Sequence, residues 1–128
     1  MASEEQVLDE ALSLLNAALP DSVTAYAHGP MPEPFPHEFV RVYLVRRAGG
    51  TGRAGRYDTT GWALYVTAAS SQFEANARNS LRIVGEALEN TVLAVGSEQS
   101  TPMRFDNARP ITDDKGWHAG VSVWHFTI

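Results

Sequence analysis

A chain of 128 residues, 44% hydrophobic and 20% charged, has the length of one folded domain and a composition unlike that of a disordered segment. It contains no cysteine, which excludes disulfides, thiolate metal sites and a cysteine nucleophile; the acidic start MASEEQ and the lack of any run near about 18 apolar residues oppose a signal peptide or a membrane span. The formal charge of −5 opposes non-specific attraction to nucleic acid, because that attraction needs basic surface to displace counterions from phosphates.

Residues 1–128 read as a single domain. Ser3 to Leu19 predicts an amphipathic helix, with Leu8, Leu12, Leu15 and Leu19 on one stripe widened by Val7, Ala11 and Ala18. Ser3 and Gln6 make a capping box, and Pro20-Asp21 ends the helix. Ser22 to Ala27 is a short strand by its Val, Thr and Tyr content. HGPMPEPFPH, His28 to His37, holds four prolines and a glycine and predicts an extended connection within the domain.

Phe39 to Arg47 and Gly61 to Ala69 alternate as two strands of a long hairpin. Between them lies GTGRAG, whose Gly50, Gly52 and Gly55 have the G-x-G-x-x-G spacing of dinucleotide-binding loops. That spacing cradles a pyrophosphate only where a helix N-terminus follows the glycines and supplies aligned N–H groups. Here a strand follows, so the glycines are read as a turn without phosphate chemistry.

From Ser71 to about Val95 a helical period returns. Phe73, Ala77, Leu81, Val84, Leu88 and Val92 hold the period, the first five as its expected core face, with Ser71 and Glu74 its capping box and Gly96 its end. Met103 to Phe105 and Ala108 to Ile111 are short strand candidates interrupted by prolines. Asp113 to Gly116 is a turn, and Trp117 to Ile128 a terminal strand. The order α-β-β-β-α-β-β predicts an α+β fold: a mostly antiparallel sheet of about four to five strands with two helices packed on one face.

The sequence holds no set of residues arranged for catalysis, and neither a cofactor nor a metal is expected. His28 and His37 flank the proline segment, while His118 and His125, seven apart on one strand, point to opposite faces. H-E-x-x-H, G-x-S-x-G and G-x-x-x-x-G-K-[ST] are missing. Trp62, Tyr65, Trp117, Trp124 and Phe126 could stack on single-stranded nucleic acid, but the RNP pattern is absent and the acidic balance opposes it, so core packing is the better account.

Charge is unevenly spread. Arg41, Arg46, Arg47, Arg53 and Arg56 fall between Glu38 and Asp58 with no acid among them, whereas the first helix carries Glu4, Glu5, Asp9 and Glu10. Such polarity suits subunits that meet through opposite charges. Arg46, Arg47, Gly50, Gly52, Arg53, Gly55 and Arg56 are therefore the candidate inter-subunit or inter-ring loop.

Taken together, the helix ALSLLNAALP, the Pro-rich approach to FVRVYLVRR, the Gly-rich hairpin tip, GWALYVTAASSQFEANARNSLRIVGEALENTVL and the final GVSVWHFTI resemble the tail terminator (tail completion, minor tail protein U-like) family of long-tailed bacteriophages. Leu64 to Ser71 and Ala75 to Leu88 match that family's strand-to-helix junction, and the likeness runs over nearly the whole chain in patterns of residue class. It implies a virion protein, assembled in the host cytoplasm, that forms a homo-oligomeric ring, a hexamer, on the head-proximal end of the tail tube. Such a ring would contact the tail tube protein and the head-tail connector or stopper, and DNA would pass through it without specific binding. The resemblance implies no enzyme activity and no membrane. The alternatives are another neck protein of the stopper or connector kind, or a small nucleotide-binding or nucleic-acid-binding module.

Overall fold

The computed structural model describes residues 2–47 and 61–128. Helix α1 spans Glu4–Ala18 and starts on the capping box read from the sequence: the Gln6 N–H donates to Ser3 Oγ at 3.2 Å and the Ser3 N–H donates to Gln6 Oε1 at 2.9 Å. Val7, Ala11 and Leu15 are fully buried on one stripe, and Leu19 ends the helix with its N–H on the Leu15 carbonyl at 2.9 Å. The extended Leu19 precedes Pro20, which disfavours continued helix at that residue.

Strand β1 (Thr24–Ala27) is the sheet's first edge. The Asn16 side chain of α1 receives the Ala25 N–H at 2.8 Å and donates to the Ala25 carbonyl at 3.2 Å, so one residue satisfies both polar groups of an edge position. Strand β2 (Glu38–Arg47) runs parallel to β1, with Thr24 opposite Phe39 and Ala27 opposite Val42. The Pro-rich 28–37 segment makes this crossover. Strand β3 (Gly61–Ser70) pairs antiparallel with β2 in unbroken register from Glu38–Ser70 to Arg47–Gly61, which is the expected hairpin.

Helix α2 covers Glu74–Leu88, shorter at both ends than the Ser71–Val95 reading. The expected Ser71/Glu74 capping box is not formed. Phe73 is the N-cap, and the preceding orphan N–H groups of Gln72 and Phe73 donate instead to the buried Ser70 Oγ at 3.2 and 3.3 Å. Phe73 also leaves its assigned place on the core face. Its φ of −139° is extended, the 3.6-residue period does not yet apply there, and the ring is 65% exposed. Ala77, Val84 and Leu88 are buried, and Leu81 packs partly buried against the core. Ser70→Ala is expected to cost about 1–2 kcal/mol in chemical denaturation, because it strands two N–H groups at a helix entry. Ser71→Ala should be closer to neutral, because Ser71 Oγ meets His37, at Nδ1 (3.1 Å) and at the carbonyl (3.4 Å), and no helix N–H.

The C-terminal end of α2 is set by Asn90, in the left-handed region at φ 60°, and not by Gly96. Gly96 (φ 61°) turns a small two-stranded ribbon, β4 (Ala94–Val95) with β5 (Glu98–Gln99), which places Leu93 and Val95 in the same core as the helix. Apolar spacing therefore continues past the helix although the helix has stopped.

The two weak strand candidates are one strand, β6 (Arg104–Asp114), pairing with β7 (Trp117–Thr127). The register slips between Phe105 and Asn107 and again between Arg109 and Thr112, the second slip enclosing Pro110. Lys115 (φ 53°) and Gly116 (φ 84°) form the two-residue connection, both at positive φ as a type I′ hairpin turn needs. The main sheet has the order β1-β2-β3-β7-β6, antiparallel except at β1–β2.

Both helices lie on one face of this sheet, α1 over β1 and β2, α2 over β3 and β7. Val40, Val42, Leu44, Trp62, Leu64, Val66, Trp124 and Phe126 face them and form the core. Gly120 on β7 lets α2 and β6 close over it. A Cβ there would fall 2.8 Å from Leu81 Cδ1 and 2.9 Å from Ile111 Cγ1.

Candidate functional site

Alternation fixes what the other face of the sheet presents. On β2 the residues between the core positions are Phe39, Arg41, Tyr43, Val45 and Arg47, and their partners on β3 are Ala69, Thr67, Tyr65, Ala63 and Gly61. On β7 the same side carries Trp117, Ala119, Val121, Val123 and His125, joined from β6 by Asn107 and Arg109. No described helix covers this face. Phe39, Ala63, Ala69 and Val123 are nevertheless buried on it.

The face is aromatic and ordered by ring contacts. Phe35, from the Pro-rich segment, meets Phe39 and Trp117 edge-on with centroids 5.6 Å apart in each pair, and Phe39 lies 5.6 Å from Trp117. Tyr43 stacks on Tyr65 at 4.9 Å and receives the His28 ring edge-on at 5.6 Å. Such geometry contributes about 0.5–1.5 kcal/mol per pair beyond burial, enough to hold the rings in a fixed relief. Even so, Phe35 is 49%, Val45 41% and Tyr43 39% exposed.

Two hollows mark the relief. One of about 420 Å³ is lined by His28, Phe35, Phe39, Arg41, Tyr43 and Trp117 among others; a second of about 180 Å³ lies between Tyr43, Tyr65, Asn107 and Arg109. Arg41 reaches across the first. Its guanidinium donates to the Gly29 carbonyl, which pins the Pro-rich segment to the sheet, while Nε is buried without a partner among the described residues. Arg41, Arg47 and Arg109 thus stand on this side, and Arg104 begins β6 opposite His125 with its guanidinium donating to Asn90 Oδ1 at 3.3 Å. The strand carboxylates on this side are Asp106, 3.5 Å from His125 Nε2, and Asp114 at the β6–β7 turn, whereas the register puts Glu38 and Asp113 on the helix side.

Of the residues singled out from the sequence, Arg46 and Arg47 end β2, both exposed; alternation puts Arg47 on the open face and Arg46 on the helix side. Gly50, Gly52, Arg53, Gly55 and Arg56 lie outside the described residues. Trp62, Trp124 and Phe126 are core, whereas Tyr65 and Trp117 belong to the open face, so the aromatic set divides between two environments. Sequence reasoning did not find Phe35, Tyr43, His28 or Arg109 as companions of Arg41. The odd-numbered alternation Phe39-Arg41-Tyr43-Val45 was the available signal; Arg109 and Phe35 come from elements without a period. Among the described residues no group of three His, Asp or Glu side chains is placed to hold a metal ion, and no helix is long and apolar enough to cross a membrane.

This α+β fold is shared with solved structures. A chain from the virion of a native gene transfer agent particle superposes with a TM-score of 0.64 at 16% identity, over 96% of this chain and 88% of that one. A second solved chain, without a descriptive name, superposes at 0.67 and 14% identity over 99% and 96%. At these identities the likeness is one of fold. No family model matches the sequence, and comparison with curated proteins finds no match.

Proposed function

We propose that the chain is a structural component of a phage-like virion, without enzymatic activity, and that it acts as a tail terminator. In this reading it forms a ring, a hexamer, at the head-proximal end of the tail tube, stops tube growth and joins the tail to the neck. The observation that carries the reading is the end-to-end fold likeness to a gene transfer agent virion chain, which leaves little of either chain outside the match. The open aromatic face supports it, because a sheet face with exposed Phe35, Tyr43 and Val45 suits a protein that works against other proteins. The hairpin context of GTGRAG supports the absence of nucleotide chemistry, since the segment leads from β2 into β3.

The test is assembly on tail tubes. Tube protein polymerising in the presence of this chain should stop short, with a ring on one end of each tube in electron micrographs. Titration with NAD, ATP or GTP should show no saturable binding. Unrestrained tube growth with attachment only to a connector would instead make it a neck protein of the stopper kind. A monomer that binds nucleotide would overturn the virion reading.

A further inference from the structure

The two layers give the molecule unlike sides. The sheet side carries the ring relief, the two hollows and Arg41, Arg47 and Arg109. On the helix side, α1 carries four exposed acids, Glu4, Glu5, Asp9 and Glu10, and no base. None of the four forms an ion pair with another described residue, whereas on α2 Arg78 is paired with Glu74 at 2.7 Å and Arg82 with Glu86 at 2.8 Å. Beside the α1 acids lies a shallow apolar groove of about 340 Å³ lined by Glu10, Ser13, Leu14, Ala17 and Val92, with Val92 43% exposed.

We infer that the helix-free sheet face of one copy docks back to front on the α1 side of a second copy. The sheet side supplies arginines and the α1 side supplies carboxylates with no ion-pair partner among the described residues. Arginines on an apolar, aromatic relief face the α1 carboxylates, of which Glu10 lines the groove, and complementary sign fixes the orientation of such contacts. A sheet face meeting its own like would bring Arg41, Arg47 and Arg109 together with the same residues of the other copy, which opposes a two-fold pairing. Because the two surfaces lie on opposite layers, the contact is heterologous, and it closes into a ring if each copy is rotated against the last. The inference rests on the ring-forming reading above and specifies which surfaces make the ring.

The absence of native cysteine makes the test direct. Val45→Cys or Thr67→Cys on the sheet face is combined with Ser13→Cys on α1, and the full chain is treated with a flexible bis-maleimide, alone and with tail tubes. The double variants should give a ladder of covalent oligomers, and the three single variants should stay monomeric on denaturing gels. Urea-unfolded protein sets the background. Dimers from Val45→Cys or Thr67→Cys alone would mean face-to-face pairing and overturn the inference; so would a double variant no different from background. Micrographs of the same samples separate this from the ring reading. Rings without a ladder overturn the docking geometry alone, while a ladder on open filaments retains the docking and removes the ring.

Discussion

Replacing Trp124 with alanine is expected to lower the free energy of unfolding by about 3–5 kcal/mol. The indole is 3% exposed and occupies the meeting point of three elements. It stands opposite Leu64 on the central strand β3, touches the Phe105 ring edge-on at 5.4 Å, and lies where a Cβ on Gly85 of α2 would approach it at 3.8 Å. Its N–H donates to Ser122 Oγ at 3.0 Å, so the deletion also leaves a buried hydroxyl with one fewer partner. Against a total stability of about 5–15 kcal/mol, the urea midpoint should fall by a large fraction with little change in slope. Phe73→Ala, which a helical period extended back to Phe73 would rank as a comparable core deletion, should stay within about 0.5 kcal/mol of wild type because that ring is exposed. Equal effects of the two substitutions would show that α2 does not seat over β7 as described.

The second large effect concerns assembly. Arg47→Glu with Arg109→Glu should leave folding nearly intact, since both side chains are exposed, and should weaken self-association by about tenfold or more at low salt. Each ion pair contributes only about 0–1 kcal/mol, but the reversal also sets like charges against α1, and about 1.4 kcal/mol per contact already makes a tenfold change. In a ring every copy offers both surfaces, so the change falls on every contact at once. Adding Asp9→Lys and Glu10→Lys to the same chain should restore association, because the sign is then reversed on both sides. These two acids lie beyond the first turn, so the swap spares the favourable interaction of Glu4 and Glu5 with the helix N-terminus. Sedimentation velocity at low and high salt reads the outcome. Association unchanged by the first pair, or not recovered by the second, would show that these charges do not meet.

The elements that were legible in the sequence are those with one face sealed in the core. Val40-Val42-Leu44 and Trp62-Leu64-Val66 alternate because one face of β2 and β3 is sealed by helices, and the leucine stripe of α1 recurs because one side of that helix is sealed by the sheet. Helix α2 overran in the reading because Val92 continues the apolar spacing past Leu88, yet Val92 is exposed and it is Leu93 and Val95 that enter the core, where the backbone has changed to a ribbon. Strand β6 was read as two fragments because it is exposed along nearly its whole length and carries no alternation for burial to impose. The parallel pairing of β1 with β2 has no local signature, since it depends on a crossover through residues 28–37. For the same reason the sequence displayed the arginines as a cluster but not the face they share with Trp117, Tyr65 and Arg109, which only strand order brings together.

The interrupted ladder of β6 limits how a further chain could add to the sheet by strand pairing. A long outer strand with free backbone groups is a template on which another chain can add, and addition of that kind has no natural stopping point. Here the edge is broken by two register slips, and the second encloses Pro110, which offers no N–H to an incoming strand. The opposite edge is only four residues long, with the backbone of Ala25 already engaged by Asn16. Growth by strand addition is therefore hindered at both ends of the sheet. Any association of copies through the proposed contact would then run through the faces, where geometry can limit the number of subunits.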